Sequence, residues 1–278
     1  MSSISKNLAR QALSFIADKK FDEINVVRFE GGLGSQLLSY FEYWISLKKS
    51  DSSTYANLDY FTSANTQTRR WGWELSNYGL DLIQLRDYAS FSPLLKYKSS
   101  GKLTWATEQS WRQIKSEMSK QFQVDLPRVS SQLQNLKIGG DYGVLHIRRG
   151  DYLQVASKIL SLSAYIEVLN KVKKLIPKDL VIISDSKVPD EFLAELRNLY
   201  CPNISVLDNP ELEPRLLHDV MRKSKLLISG NSTFSFTAGL LADEECVVVV
   251  PMDFYNRPEL EYLNANYRNS GQFFIQDV

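Results

Sequence analysis

One short run of the sequence holds most of the side chains that could do chemistry. His146, Arg148, Arg149 and Asp151 stand within six residues, in the run His-Ile-Arg-Arg-Gly-Asp-Tyr. Side chains alternate along a strand, so His146 and Arg148 are expected to share one face of it. Two guanidiniums and an imidazole at the end of a buried strand are costly unless something anionic satisfies them. The run therefore predicts an anion-binding site, and the alternative is an internal ion pair such as Arg148 with Asp151.

Three other segments could also contribute to such a site. Asn231, Ser232 and Thr233 precede an apolar run beginning at Phe234, so hydroxyls, an amide and free helix N–H groups would meet there, which suits a phosphate. Helix capping by Ser232 or Thr233 is the alternative. Ser184 and Asp185 end another predicted strand, where the carboxylate could bind a ribose or base, or cap the next helix. The third segment is the glycine loop Gly31-Gly32-Leu33-Gly34-Ser35-Gln36.

The glycine loop stands between a predicted strand and a predicted helix. Its glycines allow tight turns and a close approach of backbone to a ligand. It lacks the Gly-Lys-Ser/Thr of a Walker loop and is not a full dinucleotide fingerprint. A turn that serves only the backbone is therefore the alternative.

The second half of the chain must position most of these residues. Strands are predicted at residues 143–148, 180–184, 204–207, 225–229 and 247–250, and helices at 163–175, 190–199, 214–224 and 234–241. Such alternation predicts an α/β fold with a parallel, doubly wound sheet. Ligands of these sheets bind at the carboxyl ends of the strands, where the motifs of this half stand.

The first half is less regular. A strand is predicted at residues 24–29 and a helix at about 36–48, residues 50–57 are polar and turn-rich, and all five tryptophans lie in the first 111 residues. We place a domain boundary near residue 138. This gives an N-terminal domain of residues 1–138 and a C-terminal domain of 139–278, whose last residues could pack back on the first.

Composition narrows the class of protein. The chain of 278 residues is 44% hydrophobic and 23% charged with a net charge of +1, so it predicts a globular protein and gives no argument for binding nucleic acid. The only histidines and cysteines are His146, His218, Cys201 and Cys246, whose spacing matches no zinc site. Two lone cysteines and no secretory signal favour a cytoplasmic protein, and peripheral contact with the inner face of a membrane is compatible with this.

The motifs together resemble those of the α-1,2-fucosyltransferases, inverting enzymes that use GDP-fucose. The family's arginine signature is similar to residues 146–152, its Gly-Gly-Leu-Gly-Asn-Gln to 31–36, its Ser-Asp to 184–185 and its Asn-Ser-Ser/Thr-Phe-Ser to 231–235. The resemblance spans most of the chain, in order. It implies a GT-B-like fold, with two facing Rossmann-like domains and a cleft between them. The acceptor side would lie in residues 1–138 and the GDP-sugar site in 139–278.

The resemblance also implies roles for individual residues. Arg148, Arg149, His146 and Asp151 would be catalytic, with an arginine on the diphosphate. The residues that would bind the donor are Gly32, Gly34, Ser35, Gln36, Ser184, Asp185, Asp219, Asn231, Ser232, Thr233 and Phe234.

Two departures from the family pattern weaken this transfer. Ser35 replaces an asparagine. Related enzymes bind guanine through an aspartate, and Leu216 or Leu217 stands at that position here. If the helix register shifts, Asp219 would bind the base instead. His218 is interpreted as an exposed helix residue.

The implied reaction moves L-fucose from GDP-β-L-fucose to a sugar hydroxyl, O2 of a galactoside, with inversion. Asp-x-Asp is absent from the sequence, so we expect no metal and no cofactor, and fixed arginines would stabilise the leaving group. His146 and Asp151 are candidates for the catalytic base, or they orient the arginines, or phosphate takes the proton.

The expected acceptor is a glycan or lipid-linked oligosaccharide, such as a repeat unit of an O-antigen-like surface polysaccharide. Trp71 and Trp73 could stack on its sugar rings. Two other functions stay open: transfer from a different nucleotide sugar, and a non-catalytic module that binds a nucleotide sugar or glycan. The sequence predicts no oligomeric state.

Overall fold

The chain divides into two compact units, residues 1–105 and 106–278. A computed structural model describes residues 25–49, 54–62, 72–80, 82–84, 108–150, 159–200, 203–209, 211–251, 267–270 and 273–276. Residues 1–20, whose mixture of charged residues and short apolar runs predicts an amphipathic helix, lie outside this range. Within the described residues, no helix is both long and apolar enough to cross a membrane.

The first unit contains a small parallel sheet. Strand β1 (Asn25–Arg28) pairs with β2 (Thr54–Asn57), and helix α1 (Leu33–Lys49) connects them. A short helix α2 (Asp59–Thr62) and a 3-10 helix (Glu74–Tyr78) follow. Strand β2 was not predicted, because residues 50–57 are polar in composition, yet all four of its residues are buried. A strand enclosed by its unit can carry polar residues when its backbone is paired.

The second unit is built on a seven-stranded sheet. Its order is β5-β4-β3-β6-β7-β9-β8, parallel from β5 to β7 and antiparallel at the last two strands. The strands are β3 (Tyr142–Ile147), β4 (Asp179–Ser184), β5 (Asn203–Leu207), β6 (Leu226–Ile228), β7 (Val247–Pro251), β8 (Tyr267–Ser270) and β9 (Phe273–Gln276). The helices are α3 (Glu108–Gln121), α4 (Leu126–Asn135), α5 (Leu162–Lys171), α6 (Asp190–Leu199), α7 (Pro214–Arg222) and α8 (Thr233–Leu240).

These elements confirm the predicted α/β class with parallel sheets. The central strands β3, β4 and β6 are buried along nearly their whole length, as expected where helices cover both faces of a sheet. Strands β8 and β9 were not predicted. Because β9 pairs with β7, residues 273–276 extend the second sheet.

The strand order reverses between β3 and β6. From β3 the chain proceeds outward to β4 and β5, then returns to the other side of β3 as β6 and continues to β7. Connections that leave in opposite directions open a crevice at the carboxyl ends of the two strands, where open α/β sheets bind their ligands. The loops after β3 and β6 both border this switch point.

Helices α3 and α4 belong to the second unit, so the contact boundary at 105/106 differs from the one expected near 138. Arg222 at the end of α7 is buried, and its Nη1 donates to the carbonyl of Phe122 after α3. Asp219 accepts the Asp125 N–H at 3.1 Å, and Asp125 in turn caps α4 at Arg128 N. These contacts join residues about a hundred positions apart, which local patterns cannot reveal.

Replacing Arg222 by alanine should destabilise the second unit strongly. The guanidinium also donates to the Leu241 carbonyl and pairs with Asp219 at 3.4 Å, so its loss leaves this buried carboxylate with the more distant Arg215, at 4.0 Å, as its charged partner. We expect the free energy of unfolding in urea to fall by about 3–5 kcal/mol. The exposed Arg197 on α6 supplies the control, since Arg197→Ala should change it by less than about 0.5 kcal/mol. Equal losses of stability in Arg222→Ala and Arg197→Ala would contradict the stabilising role of the buried Arg222 contacts.

Candidate functional site at the switch point

One carboxylate fixes the loop that follows β3. Asp185, just after β4, accepts the backbone N–H groups of Arg149 and Gly150 through Oδ1, at 2.8 and 2.9 Å. Its Oδ2 lies 2.7 Å from Nη1 of Arg148. The backbone of Arg148 is also hydrogen-bonded to the buried Tyr165 on α5. The arginine loop is therefore held by fixed groups of the fold.

The two arginines differ in their electrostatic surroundings. The Arg148 side chain is 16% exposed and forms an ion pair with Asp185. Asp151, the partner considered from the sequence, lies outside the described residues. Arg149 is half-buried, and within the described part of the chain no carboxylate lies within 4 Å of its guanidinium. One carboxylate thus pairs with one arginine, and Arg149 carries the positive charge that an anion could use.

Two glycines allow the loops of the site to approach each other. A Cβ on Gly150 would lie 2.5 Å from Oδ2 of Asp185, so a side chain there would displace the carboxylate. A Cβ on Gly230 would lie 2.8 Å from the His146 carbonyl and 3.2 Å from Arg148 N. The loop after β6 therefore lies directly against the end of β3, and both strands' loops form one site.

The loop after β6 leads into the N-terminus of α8. Ser232 is the N-cap, and its Oγ accepts the Phe234 N–H at 3.3 Å, as the capping interpretation expected. Asn231 and Ser232 are buried, and Thr233 and Phe234 are half-buried. The cap uses one donor of the first turn and is compatible with an anion near the others. The structure thus brings these residues together with the arginine loop.

His146 is a buried, neutral imidazole. It is 3% exposed, its Nδ1 lies 2.8 Å from Oγ of Ser235, and its ring meets Phe234 edge to face at 5.8 Å. Burial lowers its pKa to about 4, against the attraction of Asp185, while Arg148 lowers it further. The His146 imidazole was expected from the sequence, with the two arginines, to require an anion, and a neutral ring does not require one. The positive charge of the site comes from the arginines.

The interpretation of His218 as an exposed helix residue is wrong. His218 is fully buried, and its Nε2 lies 3.1 Å from Oγ1 of Thr237 on α8. Asp219 is also buried; burial raises the pKa of its carboxyl, and the Asp125 N–H and Arg222 oppose this. Its carboxylate is engaged by groups of the protein, so the geometry explains it as a link between helices without invoking a base.

Other residues of the predicted donor site also serve the fold. The Ser184 hydroxyl donates to the Ser186 carbonyl at 2.7 Å. Gln36 is completely buried in the first unit, where its amide donates to the Gly31 and Gly72 carbonyls and accepts the N–H groups of Glu74 and Leu75. This side chain has used its hydrogen-bonding capacity.

The glycine loop lies in the first unit. Helix α1 begins at Leu33, so Gly34 and Ser35 fall in its first turn, and the Gln36 N–H donates to the Gly32 carbonyl at 3.1 Å. Gly31 has φ +74°, a conformation that favours glycine. A role of the glycine loop in donor binding stays a prediction.

Trp73 packs within an aromatic cluster of the first unit. Its ring lies 5.5 Å from Phe29, edge to face, and 5.2 Å from Phe61. Phe29 is fully buried, so these contacts are those of a core. Trp71, the other residue predicted to contact an acceptor, lies outside the described residues. Among those that are described, no three His, Cys, Asp or Glu side chains form a group suited to a metal ion.

Comparisons with known proteins give only distant structural similarities. No family model and no curated protein matches the chain. Fucosyltransferase NodZ from Bradyrhizobium is similar with a TM-score of 0.43 and 12% identity, over 82% of this chain and 95% of that one. NodZ α-1,6-fucosyltransferase soaked with GDP-fucose gives 0.45 and 12%, over 92% and 99%. POFUT1 in complex with GDP gives 0.42 and 10%, over 80% and 95%.

Stability should depend on the two buried histidines as the solution is acidified. His146 has a folded pKa of about 4, below its ordinary value near 6.5, and burial and Arg222 lower the pKa of His218 as well. The unfolded chain therefore binds more protons, and stability present above pH 6.5 is lost as pH falls toward 4. For His146 the loss should reach about 3 kcal/mol.

Urea unfolding of the protein and of His146→Gln between pH 4.5 and 7 measures this loss. Glutamine cannot take up a proton, so the variant should show a shallower decline in its free energy of unfolding. Parallel curves for the two proteins would contradict the buried, neutral state of His146.

Proposed function

We propose that this protein is a glycosyltransferase that moves fucose from GDP-fucose to a glycan hydroxyl. The observation that carries the proposal is the pair Arg148 and Arg149 at the switch point, opposite the loop of Gly230. Asp185 orients the first arginine and both following backbone N–H groups, and Arg149 has no carboxylate partner among the described residues. This is a preorganised cationic site at the position where α/β sheets bind nucleotides.

The chemistry of the leaving group explains why such a site would be useful. When the bond between C1 of the sugar and oxygen breaks, negative charge develops on the departing diphosphate. Fixed guanidiniums and the positive N-terminal end of α8 can stabilise this charge without rearranging, and planar guanidiniums bind two phosphate oxygens at once. Arg149 would contact the diphosphate, and Arg148, held by Asp185, would position the loop.

We further propose an α-1,2 linkage formed with inversion and without a metal. The resemblance of residues 146–152 to the α-1,2-fucosyltransferase signature supports the linkage, and the absence of Asp-x-Asp together with the arginine pair supports metal independence. A transition state with oxocarbenium character is expected for displacement at an anomeric carbon. The acceptor would be a glycan or lipid-linked oligosaccharide in the cytoplasm.

Recognition of guanine requires a group other than Asp219 in this proposal. Its carboxylate already accepts the Asp125 N–H and pairs with Arg222, so binding a base would break contacts that join two helices. The diphosphate site is thus better supported than the choice of base. A panel of nucleotides separates these two parts of the proposal.

GDP should raise the unfolding temperature of the protein, and EDTA should not remove the effect. A ligand present at about 100 times its Kd stabilises the folded state by about 2.7 kcal/mol. UDP, dTDP and CMP, each measured with and without EDTA, are the comparisons. Stabilisation by UDP alone would exclude GDP-fucose as the donor, and stabilisation that EDTA abolishes would contradict metal independence.

Arg149→Ala should lower turnover of GDP-fucose with a β-galactoside acceptor about 10²–10³-fold, the loss typical of one donor to a developing oxyanion. The variant should remain folded, because the described contacts of the loop use the Arg149 backbone. Arg197→Ala, an exposed arginine on α6, is the matched control and should keep full activity. Binding of GDP without turnover by the unmodified protein would favour a non-catalytic module.

A further inference from the structure

A chain of hydroxyls connects His146 to the loop after β6. Nδ1 of His146 lies 2.8 Å from Ser235 Oγ, which lies 2.7 Å from Ser229 Oγ, which lies 2.9 Å from the Gly230 carbonyl. His146, Ser229 and Ser235 are all buried, so no bulk water competes for these bonds. Three short contacts therefore share three protons, and their directions are coupled.

Only one arrangement of protons satisfies every contact. A carbonyl can only accept, so Ser229 donates to Gly230. Ser229 Oγ then accepts from Ser235, whose other carbonyl contacts are longer, at 3.4 and 3.5 Å. With its proton given to Ser229, Ser235 must accept from Nδ1 of His146. In the opposite direction either the bond to Gly230 is lost or two hydroxyl oxygens 2.7 Å apart lack a proton between them.

The same reasoning gives His218 the other tautomer. Thr237 Oγ1 lies 2.9 Å from the Thr233 carbonyl and 3.1 Å from that of Phe234, so its proton is donated within α8. Thr237 Oγ1 therefore accepts from Nε2 of His218. Nδ1 of His218 is buried without a partner, and it is then a bare acceptor rather than an unsatisfied N–H.

We infer that Ser235 and Ser229 are positioning residues that hold His146 as the neutral Nδ1–H tautomer, leaving Nε2 as an acceptor. Free histidine in water favours the Nε2–H form, so the hydroxyl chain must impose the other one. This inference concerns the protein without ligand and is independent of the donor's identity. Its consequence for the site rests on the proposed function.

That consequence is a restriction on what His146 can bind. A bare Nε2 accepts a hydrogen bond from an O–H or N–H group of the nucleotide sugar or acceptor, and it cannot donate one to a phosphate oxygen. Asp185 and Arg148 are the charged groups that act on His146, in opposite directions, and its ring also faces Phe234. Phosphate recognition is thereby left to the arginines and the N-terminus of α8.

Nitrogen-15 NMR of histidine-labelled protein without nucleotide tests the tautomers. The chain has only two histidines, so His146→Gln assigns the signals. We expect a protonated Nδ1 and bare Nε2 for His146 and the reverse for His218, unchanged from pH 6 to 8. A protonated Nε2 on His146 would overturn the inference, whatever the fate of the proposed function.

Ser235→Ala tests whether the hydroxyl chain imposes the tautomer. We expect the Nε2–H form of His146 to become substantially populated and KM for GDP-fucose to rise about tenfold, with a smaller change in kcat. Ser229→Ala deprives Ser235 of its short acceptor and should shift the tautomer in the same direction, which supplies a second variant if the first does not fold.

Ser224→Ala is the matched control. Ser224 is equally buried, at the other end of β6, and donates to the Met221 carbonyl, so its loss should leave the His146 signals unchanged. A pure Nδ1–H form in both Ser235→Ala and Ser229→Ala would overturn the positioning role. A shifted tautomer in a protein that turns over no GDP-fucose would retain the inference and reject the proposed function.

Discussion

The bridge made by the Asp185 carboxylate is the interaction on which the candidate site depends. Strands β3 and β4 are neighbours in a parallel sheet, so their carboxyl ends emerge side by side, and a carboxylate after one can reach the backbone after the other. Asp185 binds two successive N–H groups and the Arg148 guanidinium at once. The lack of a side chain at Gly150 makes this approach feasible. Asp185 thereby fixes the backbone of the loop after β3, in addition to the hydrogen bond between Tyr165 and the Arg148 backbone.

The bridge also divides the charge of the site unequally. Asp185 offsets the charge of Arg148, burial keeps His146 neutral, and Arg149 contributes a positive charge to the loop after β3. A site with both guanidiniums unpaired would lose stability without ligand, whereas a fully paired site would bind no anion. The arrangement is therefore an intermediate one, with one arginine in an ion pair and a second whose charge an anion could use.

The sequence predicted the second unit better than the first for a physical reason. Strands β3 to β7 are continuous apolar runs separated by helical periods, a local pattern, and the predicted bounds lie close to the observed ones. Strand β2 and helices α3 and α4 are specified by contacts with distant residues, such as Arg222 with Phe122, which local patterns do not record. The partner of Arg148 and the burial of His218 were missed for the same reason, because both depend on residues far along the chain.

Helix α8 provides the hydroxyl groups that orient the two histidines of the chain. Both histidines of the chain hydrogen-bond to hydroxyls of this helix, His146 to Ser235 and His218 to Thr237, and both rings pack against Phe234. A hydroxyl within a helix ordinarily returns its proton to a carbonyl of the preceding turn, as Thr237 does, and it is then left as an acceptor. In the inferred arrangement of protons Ser235 instead donates to Ser229, and its oxygen likewise accepts from a histidine, His146. Hydroxyls of the helix therefore select the ring nitrogen that carries the proton in each histidine, while burial keeps both rings neutral and leaves the positive charge of the site at the arginines.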